Sequence, residues 1–425
     1  MDPKITTLKN GLQVVTVDTA SFPTVTTQLL VGAGSRYEDQ KNNGIAHFFE
    51  HMAFKGSKKY PSSFIISSTI EGEGGVFNAF TAKDHTGYWI KALSEDFAVV
   101  IDVLSDMVLH PLLEEHEIER EKGVIVEEIN MYEDNPARKV SEVLDMILYP
   151  DNPLGYDIAG TKETVNSFNR QTFTDYIKLH YHPQNAVLVI AGGVKHIKGL
   201  DELLEEKFGA WKPGKKNTYE KVTEQQNGPR ISIRHKKTEQ AHFCLAYRTF
   251  SQYDKRRYVL SVLATILGGG MSSRLFMEVR EKRGLCYYIS TGRELYEDVG
   301  NIVTQAGVTN DLDKVKEAIR VIIAEHKKIA KGELMNEELH KAKELLKGRL
   351  LLSLEDSSNI ASFYGNRLLL EGEIISPEKI IEHLEKVTLG DVIDLANEIF
   401  TDKTLNIALI GPFQQEDFKI EELLK

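Results

Sequence analysis

The residues best suited to chemistry are two histidines and a glutamate within five positions, His47, Glu50 and His51. The surrounding run, 44–54, is largely apolar and predicts a helix, in which residues four apart lie on one face. Both imidazoles would then point the same way, with Glu50 beside them. The order H-x-x-E-H is a signature of zinc-dependent hydrolysis and the reverse of the commoner H-E-x-x-H.

Two histidines do not complete a catalytic zinc site, which uses three protein ligands and keeps a further position for water. A second predicted helix, 116–132, offers Glu121, Glu127 and Glu128. Positions seven apart lie on nearly the same face, so Glu121 and Glu128 align, whereas Glu127 is turned by about 100° from Glu128. We predict Glu128 as the third ligand and Glu121 as the carboxylate that orients a ligand histidine.

Glu50 is not required as a ligand. A carboxylate beside the metal can take the proton of the attacking water and pass it to the leaving amine. We therefore predict Glu50 as the general base.

These assignments have ordinary alternatives. In a chain of 425 residues, a chance H-x-x-E-H has odds on the order of a few per cent. Taken alone, Glu127 and Glu128 fit a solvated helix face about four times more readily than a metal site. The metal hypothesis therefore depends on pairing the acids with the histidines.

Composition narrows the class of protein. The 425 residues are 41% hydrophobic and 27% charged, which predicts two to three globular domains. A formal net charge of -11 repels nucleic acids and anionic membranes, so neither is expected as a partner. A cytoplasmic location is expected, because no apolar run approaches about 18 residues and the start lacks a leader pattern; a removed targeting segment is the alternative.

The pattern of elements predicts an α+β fold. Strands 12–17 and 24–31 are expected to pair as a hairpin, with Asn10-Gly11 as a turn before the first. Three further strands, 76–81, 86–92 and 186–191, alternate with helical patterns.

The order of elements then recurs, which indicates a tandem duplication. Glu133-Asp134 recurs as Glu355-Asp356, and the strand ending at Gly192 recurs as one ending at Gly411, both offset by about 220 residues. We predict a catalytic zinc-binding domain (1–212), a polar linker (213–229) and a homologous domain (230–425) that does not bind metal. The counterpart of the histidine motif falls near 268–270, three glycines.

At these residues the sequence resembles the pitrilysin or insulysin family of zinc peptidases, and its short-chain branch, which includes the mitochondrial processing peptidase and bacterial relatives. The similarity covers nearly the whole chain. The segments that carry it are GAGSRYE (32–38), 44–56, GGVFNAFT (74–81), TGY (86–88), 121–134, GGGMSSRLF (268–276) and VREKRGLCY (279–287).

The resemblance implies two homologous halves, each an antiparallel-rich sheet packed with helices, that close like a clamshell over a peptide. It gives His47, His51 and Glu128 as ligands of one zinc ion and Glu50 as the base. It gives Glu121 as the carboxylate that supports the ligands. It also implies that substrate adds as a strand beside Asn78, Ala79, Phe80 and Thr81. Without the resemblance this segment would equally well be an interior strand.

In the second half, Arg280 and Tyr287 match a family pair that stabilises the oxyanion formed during attack on the peptide carbonyl. Arg283 is a competitor for the role of Arg280. Without the resemblance both arginines would be interpreted as surface charges.

The expected function is that of a zinc-dependent endopeptidase, which hydrolyses unfolded peptides or presequence-like segments in an enclosed chamber. One alternative is a peptidase-like subunit that needs a partner chain for activity. A second is a structural zinc site, which would need a fourth protein ligand. The resemblance also implies a homodimer, which sedimentation at micromolar concentration would test.

Overall fold

The computed structural model describes residues 2–20, 22–223 and 225–424. Its strands are β1 (Lys4–Thr7), β2 (Gln13–Asp18), β3 (Thr24–Val31), β4 (Val76–Thr81), β5 (Thr86–Leu93), β6 (Ala186–Gly192), β7 (Arg230–His235), β8 (Gln240–Thr249), β9 (Cys286–Leu295), β10 (Gly300–Thr309) and β11 (Leu405–Gly411).

Its α-helices are α1 (Ile45–Ala53), α2 (Ser63–Gly72), α3 (Phe97–Leu109), α4 (Glu115–Glu133), α5 (Pro136–Leu148), α6 (Lys162–Ser167), α7 (Arg170–His180), α8 (Leu200–Phe208), α9 (Arg257–Gly268), α10 (Leu312–Ala330), α11 (Asn336–Ser353), α12 (Ser357–Asn366), α13 (Pro377–Glu385), α14 (Leu389–Ile399) and α15 (Ile420–Leu423). Within the described ranges, no helix combines the length and apolar character needed to cross a membrane.

The chain folds into two compact units, each built from three segments. Unit 1 comprises Met1–Asn130, Tyr156–Glu220 and Leu352–Ile375, and unit 2 comprises Met131–Gly155, Lys221–Leu351 and Ser376–Lys425. The predicted division at 213–229 follows the duplication in the sequence. The compact units differ from it, because α5 belongs to unit 2 and α12 belongs to unit 1.

Unit 1 contains a six-stranded sheet in the order β1-β2-β6-β3-β5-β4. The expected hairpin of β2 and β3 is wrong, because β6 lies between them, parallel to β2 and antiparallel to β3. The true hairpin is β1–β2, closed at Asn10-Gly11, where Gly11 has a φ of 94°. The strand β1 is short and largely exposed, so it lacks the apolar alternation that would predict it.

Unit 2 contains a five-stranded sheet in the order β7-β11-β8-β10-β9. Its strand directions repeat those of β2-β6-β3-β5-β4, with one parallel pair followed by three antiparallel pairs. The shared topology agrees with a duplicated α+β unit.

The two sheets each receive one helix from the other half of the chain, and we call α5 and α12 the exchanged helices. In unit 2, Val140 and Leu144 of α5 pack in a buried cluster with Cys244 and Ala408 of the sheet. In unit 1, α12 packs on β3 and β6. The close approach needs Gly365, because a Cβ atom there would lie 2.5 Å from Leu30 Cδ1.

Candidate metal centre

The helix α1, which carries the histidine motif, is anchored in the core by buried aromatic side chains. Phe48 and Phe49 are fully buried, and the ring of Phe49 lies 4.8 Å from that of Tyr181. Gly44 precedes the helix with a φ of 96°, and a Cβ atom there would lie 2.7 Å from the carbonyl oxygen of Ala159. The helix therefore starts at a position that favours glycine.

A buried carboxylate, Glu38, holds the start of α1. Its Oε2 accepts from the backbone N–H of Gly44 at 2.8 Å and from Asn43 Nδ2 at 2.9 Å, and its Oε1 accepts from the N–H of Ala46 at 2.8 Å. Burial raises the pKa of Glu38 to about 7, although these hydrogen bonds and Lys83 act to lower it. This role of Glu38 is not evident from the sequence, since an acid seven residues before the helix resembles an ordinary surface charge.

Replacing Glu38 by Ala is expected to destabilise unit 1 and loosen the metal site. Three buried donors lose their acceptor, and each unsatisfied donor costs about 1–3 kcal/mol. We expect metal affinity to fall by no more than the roughly 10- to 100-fold lost when a group bonded directly to a ligand is removed, because Glu38 holds only the start of the helix that carries the two histidines. Chelator competition and thermal unfolding measure the two effects.

The exposed Glu71→Ala variant is the matched control. Glu38→Gln, which keeps one acceptor oxygen, should fall between the wild type and Glu38→Ala. Wild-type metal affinity in folded Glu38→Ala would contradict this role for Glu38.

The structure brings together the three predicted metal ligands. Glu128 Oε2 lies 3.6 Å from His47 Nε2 and 3.5 Å from His51 Nε2, and one ligand atom from each residue lies within 4.8 Å of the others. Tetrahedral zinc with ligands about 2.0–2.1 Å away has ligand atoms roughly 3.3–3.4 Å apart. Two imidazole nitrogens and one carboxylate oxygen are also a common catalytic zinc set, so the residues fit this ion.

Glu121 lies where the spacing on α4 predicts it. Its Oε1 is 2.9 Å from His51 Nδ1, and its Oε2 is 2.6 Å from Lys55 Nζ. Burial opposes the charged form of Glu121, but the contacts with His51 and Lys55 outweigh it and hold its pKa below the usual value. The carboxylate can only accept, so the proton of neutral His51 sits on Nδ1 and leaves Nε2 free to ligate. The contact of Lys55, two residues beyond the end of α1, was not predicted from the sequence.

His51 links metal binding to pH. Burial acts to lower the pKa of His51, but the hydrogen bond to Glu121 and the charges of Glu121, Glu50 and Glu128 outweigh it, so the pKa lies above its usual value. In the metal-free protein, His51 therefore begins to take up a proton at a pH above the ordinary histidine pKa of about 6.5. This proton competes with the metal for the ring. Metal affinity should fall as the solution becomes acidic.

Glu50 lies beside the ligand cluster on the same helix and is half-buried. Burial raises its pKa, and the charge of Glu128 adds to this, while a hydrogen bond from Thr81 and the nearness of His51 oppose it. Thr81 Oγ1 donates to Glu50 Oε2 at 2.5 Å. Thr81 was predicted only as part of the substrate strand, so its contact with Glu50 is an additional finding.

The segment Asn78–Thr81 lies in β4, at the edge of the sheet in unit 1. The ring of Phe77 lies 5.7 Å from that of Phe54, at the end of α1. The backbone N–H of Ala79 donates to Asn78 Oδ1 at 2.8 Å. The strand β4 therefore contacts α1 and the residue that follows it through Thr81 and Phe77.

Arg280 and Tyr287 belong to unit 2, where they lie near each other. The guanidinium carbon of Arg280 is 5.6 Å from the centre of the Tyr287 ring, and Tyr287 is 73% exposed. Arg283 instead donates to the Glu278 carboxylate at 2.8 Å and to its backbone carbonyl at 2.6 Å. The two arginines thus differ in their contacts, because the guanidinium of Arg283 is bound by Glu278, whereas that of Arg280 lies near the Tyr287 ring.

Comparison with known families agrees with this geometry. Residues 13–162 match the model described as Insulinase (Peptidase family M16), and residues 167–346 match the Peptidase M16 inactive domain. The chain is 38% identical to the uncharacterized zinc protease YmxG of Bacillus subtilis, over 96% of this chain and 97% of that protein. An uncharacterized zinc protease of Streptomyces coelicolor is 34% identical, over 97% of this chain and 90% of the relative.

Solved structures share the fold. A protease from Helicobacter pylori superposes with a TM-score of 0.89 and 25% identity, over 97% of this chain and 99% of that chain. A peptidase M16 inactive-domain structure from Pseudomonas fluorescens has a TM-score of 0.88 and 20% identity, over 97% and 99% of the two chains, and shows similarity of fold alone.

Proposed function

Because the chain belongs to the insulinase family of peptidases, family M16, we propose that it is a zinc-dependent endopeptidase of unfolded or presequence-like peptides, acting in an enclosed chamber. The observation that carries the proposal is the convergence of His47, His51 and Glu128, with Glu50 beside them. This is the only such group of three ligands among the described residues, in keeping with one zinc ion per chain.

The protein side chains have separate tasks in this proposal. Zinc held by His47, His51 and Glu128 would lower the pKa of a water molecule and polarise the peptide carbonyl. Glu50 accepts the proton of the attacking water and delivers it to the leaving amine. Burial raises the pKa of Glu50 in the metal-free protein, and the hydrogen bond from Thr81 fixes the position of its carboxylate.

The edge strand β4 offers a binding mode for extended peptides. Main-chain pairing with an edge strand gives affinity with little dependence on side chains. The N–H of Ala79 is held by the Asn78 side chain, which an added strand could displace. Support for this assignment comes from the edge position and from the Thr81 contact with Glu50.

The proposal predicts that the purified chain alone contains one zinc ion and cleaves a quenched peptide library. Activity should disappear with a chelator and return with zinc. The affinity for zinc should begin to fall as the pH drops below the raised pKa that His51 has in the metal-free protein, measured by competition with a colorimetric chelator between pH 8 and 5. Zinc binding without cleavage would instead favour the subunit that needs a partner chain, whereas a chain that binds no zinc contradicts both.

The roles of Arg280 and Tyr287 stay predictions that rest on the family resemblance. If Arg280 donates to the developing oxyanion, Arg280→Ala should lower kcat about 10²–10³-fold with little change in zinc content. Arg283→Ala is the matched control, because Arg283 is engaged by Glu278. Equal losses in the two variants would remove the special role of Arg280.

A further inference from the structure

Unit 1 contains a cavity of about 520 Å³ between the C-terminal ends of α3, α7 and α8, and none of the predicted metal ligands lines it. Its floor is apolar and aromatic and includes Leu109, Ile177, Tyr181 and Trp211. The Trp211 indole N–H donates to the carbonyl of Tyr181 at 3.1 Å, which fixes the ring. Cavities of roughly 300–1,000 Å³ with such linings accommodate small organic ligands.

A buried histidine forms part of the cavity wall. His182 is 4% exposed, and the backbone of Leu179 and Lys215 lies within hydrogen-bonding reach of its ring. Both ring nitrogens are shielded from solvent. The ring therefore shapes the wall, and the polar contacts to a ligand must come from the lysines of the lining.

The charged side chains that line the cavity are all lysines. The lining includes Lys178, Lys207 and Lys212 and no carboxylate. Lys207 is neutralised by Asp102 at 2.8 Å and Glu206 at 2.6 Å. Lys178 and Lys212 are exposed, and no ion pair is found for either among the described residues. The rim therefore favours an anion above an apolar floor.

We propose that this cavity binds a small organic carboxylate with an apolar, aromatic body. The body rests on Tyr181 and Trp211, and the carboxylate lies at the rim between Lys178 and Lys212. Tyr181 also contacts Phe49 of α1, so the occupied cavity and the motif helix share one side chain.

The test uses the zinc-loaded full chain and the probe 4-phenylbutyrate, with 4-phenylbutan-1-ol as the uncharged equivalent. The chain has two tryptophans, so a Trp89→Phe background leaves Trp211 as the fluorescent reporter. We expect saturable quenching by the carboxylate and binding of the alcohol about tenfold weaker, because one charge-assisted contact is lost.

Two variants locate the site. Lys178→Gln combined with Lys212→Gln should weaken carboxylate binding about tenfold and leave alcohol binding unchanged. Ala210→Phe, an exposed change at the cavity mouth, should abolish binding of both probes while the unfolding temperature stays the same. Lys195→Gln combined with Lys198→Gln removes two exposed charges outside the lining and is the matched control.

Several results would overturn the proposal. These are absence of saturable quenching, equal affinity for the acid and the alcohol, unchanged binding in folded Ala210→Phe, and an equal loss in the control lysine pair. None of them depends on peptidase activity, so the outcome is independent of the proposed function.

Discussion

Glu50→Gln is expected to lower peptide hydrolysis by about 10²–10⁴-fold, the usual contribution of a general base, while the protein keeps its zinc. The amide has nearly the shape of the carboxylate but cannot accept the proton of water at neutral pH. Glu50 is not in the cluster of His47, His51 and Glu128, so the ligand set is intact. Metal analysis and initial rates on one quenched peptide measure both effects.

The matched control is Glu127→Gln, an exposed acid on α4 next to the ligand Glu128. This change removes the same charge and should leave both activity and zinc content unchanged. Substantial activity in Glu50→Gln would exclude Glu50 as the base. Loss of zinc in Glu127→Gln would instead question the choice of Glu128 as ligand.

A fragment of residues 1–220 produced alone is expected to be unfolded or insoluble and to bind no zinc tightly. It holds β1–β6 but lacks α12, whose Ile360 and Tyr364 are buried. Burial of each such side chain contributes about 1.5–3 kcal/mol, which is a large share of a typical total stability of about 5–15 kcal/mol. The fragment also carries α5 without the sheet that this helix covers.

Co-production with residues 221–425 should restore solubility and zinc binding, because the second fragment supplies α12. The control is the complete chain cut at a protease site inserted near residue 216, outside the helices and strands. Circular dichroism and zinc titration compare the three samples. Wild-type zinc affinity in the lone fragment would show that the exchanged helices are dispensable for unit 1.

The metal site could be predicted from sequence because each pair of its residues lies within one helix. The spacing of four between His47 and His51 places both on one helix face, and the spacing of seven between Glu121 and Glu128 places both on one face of another helix. The structure places all four where that geometry requires.

The remaining features depend on contacts between distant parts of the chain. The sequences of β2 and β3 do not indicate that β6 lies between them, because β3 and β6 are similar apolar strands and either could pair with β2. The exchange of α5 and α12 is equally hidden, since an amphipathic helix does not specify which sheet it covers. The structural role of Glu38 was not predicted, because the sequence alone does not distinguish a buried glutamate from an exposed one.

The exchanged helix α12 has a consequence for biosynthesis. The last strand of the first sheet, β6, ends at Gly192, whereas α12 ends at Asn366. At about 5–20 residues per second, translation leaves a gap on the order of ten to thirty seconds between them. During that interval the nascent polypeptide exposes the apolar face around Leu30 and Val189, so ribosome-associated chaperones have a defined surface to shield until α12 has been synthesised.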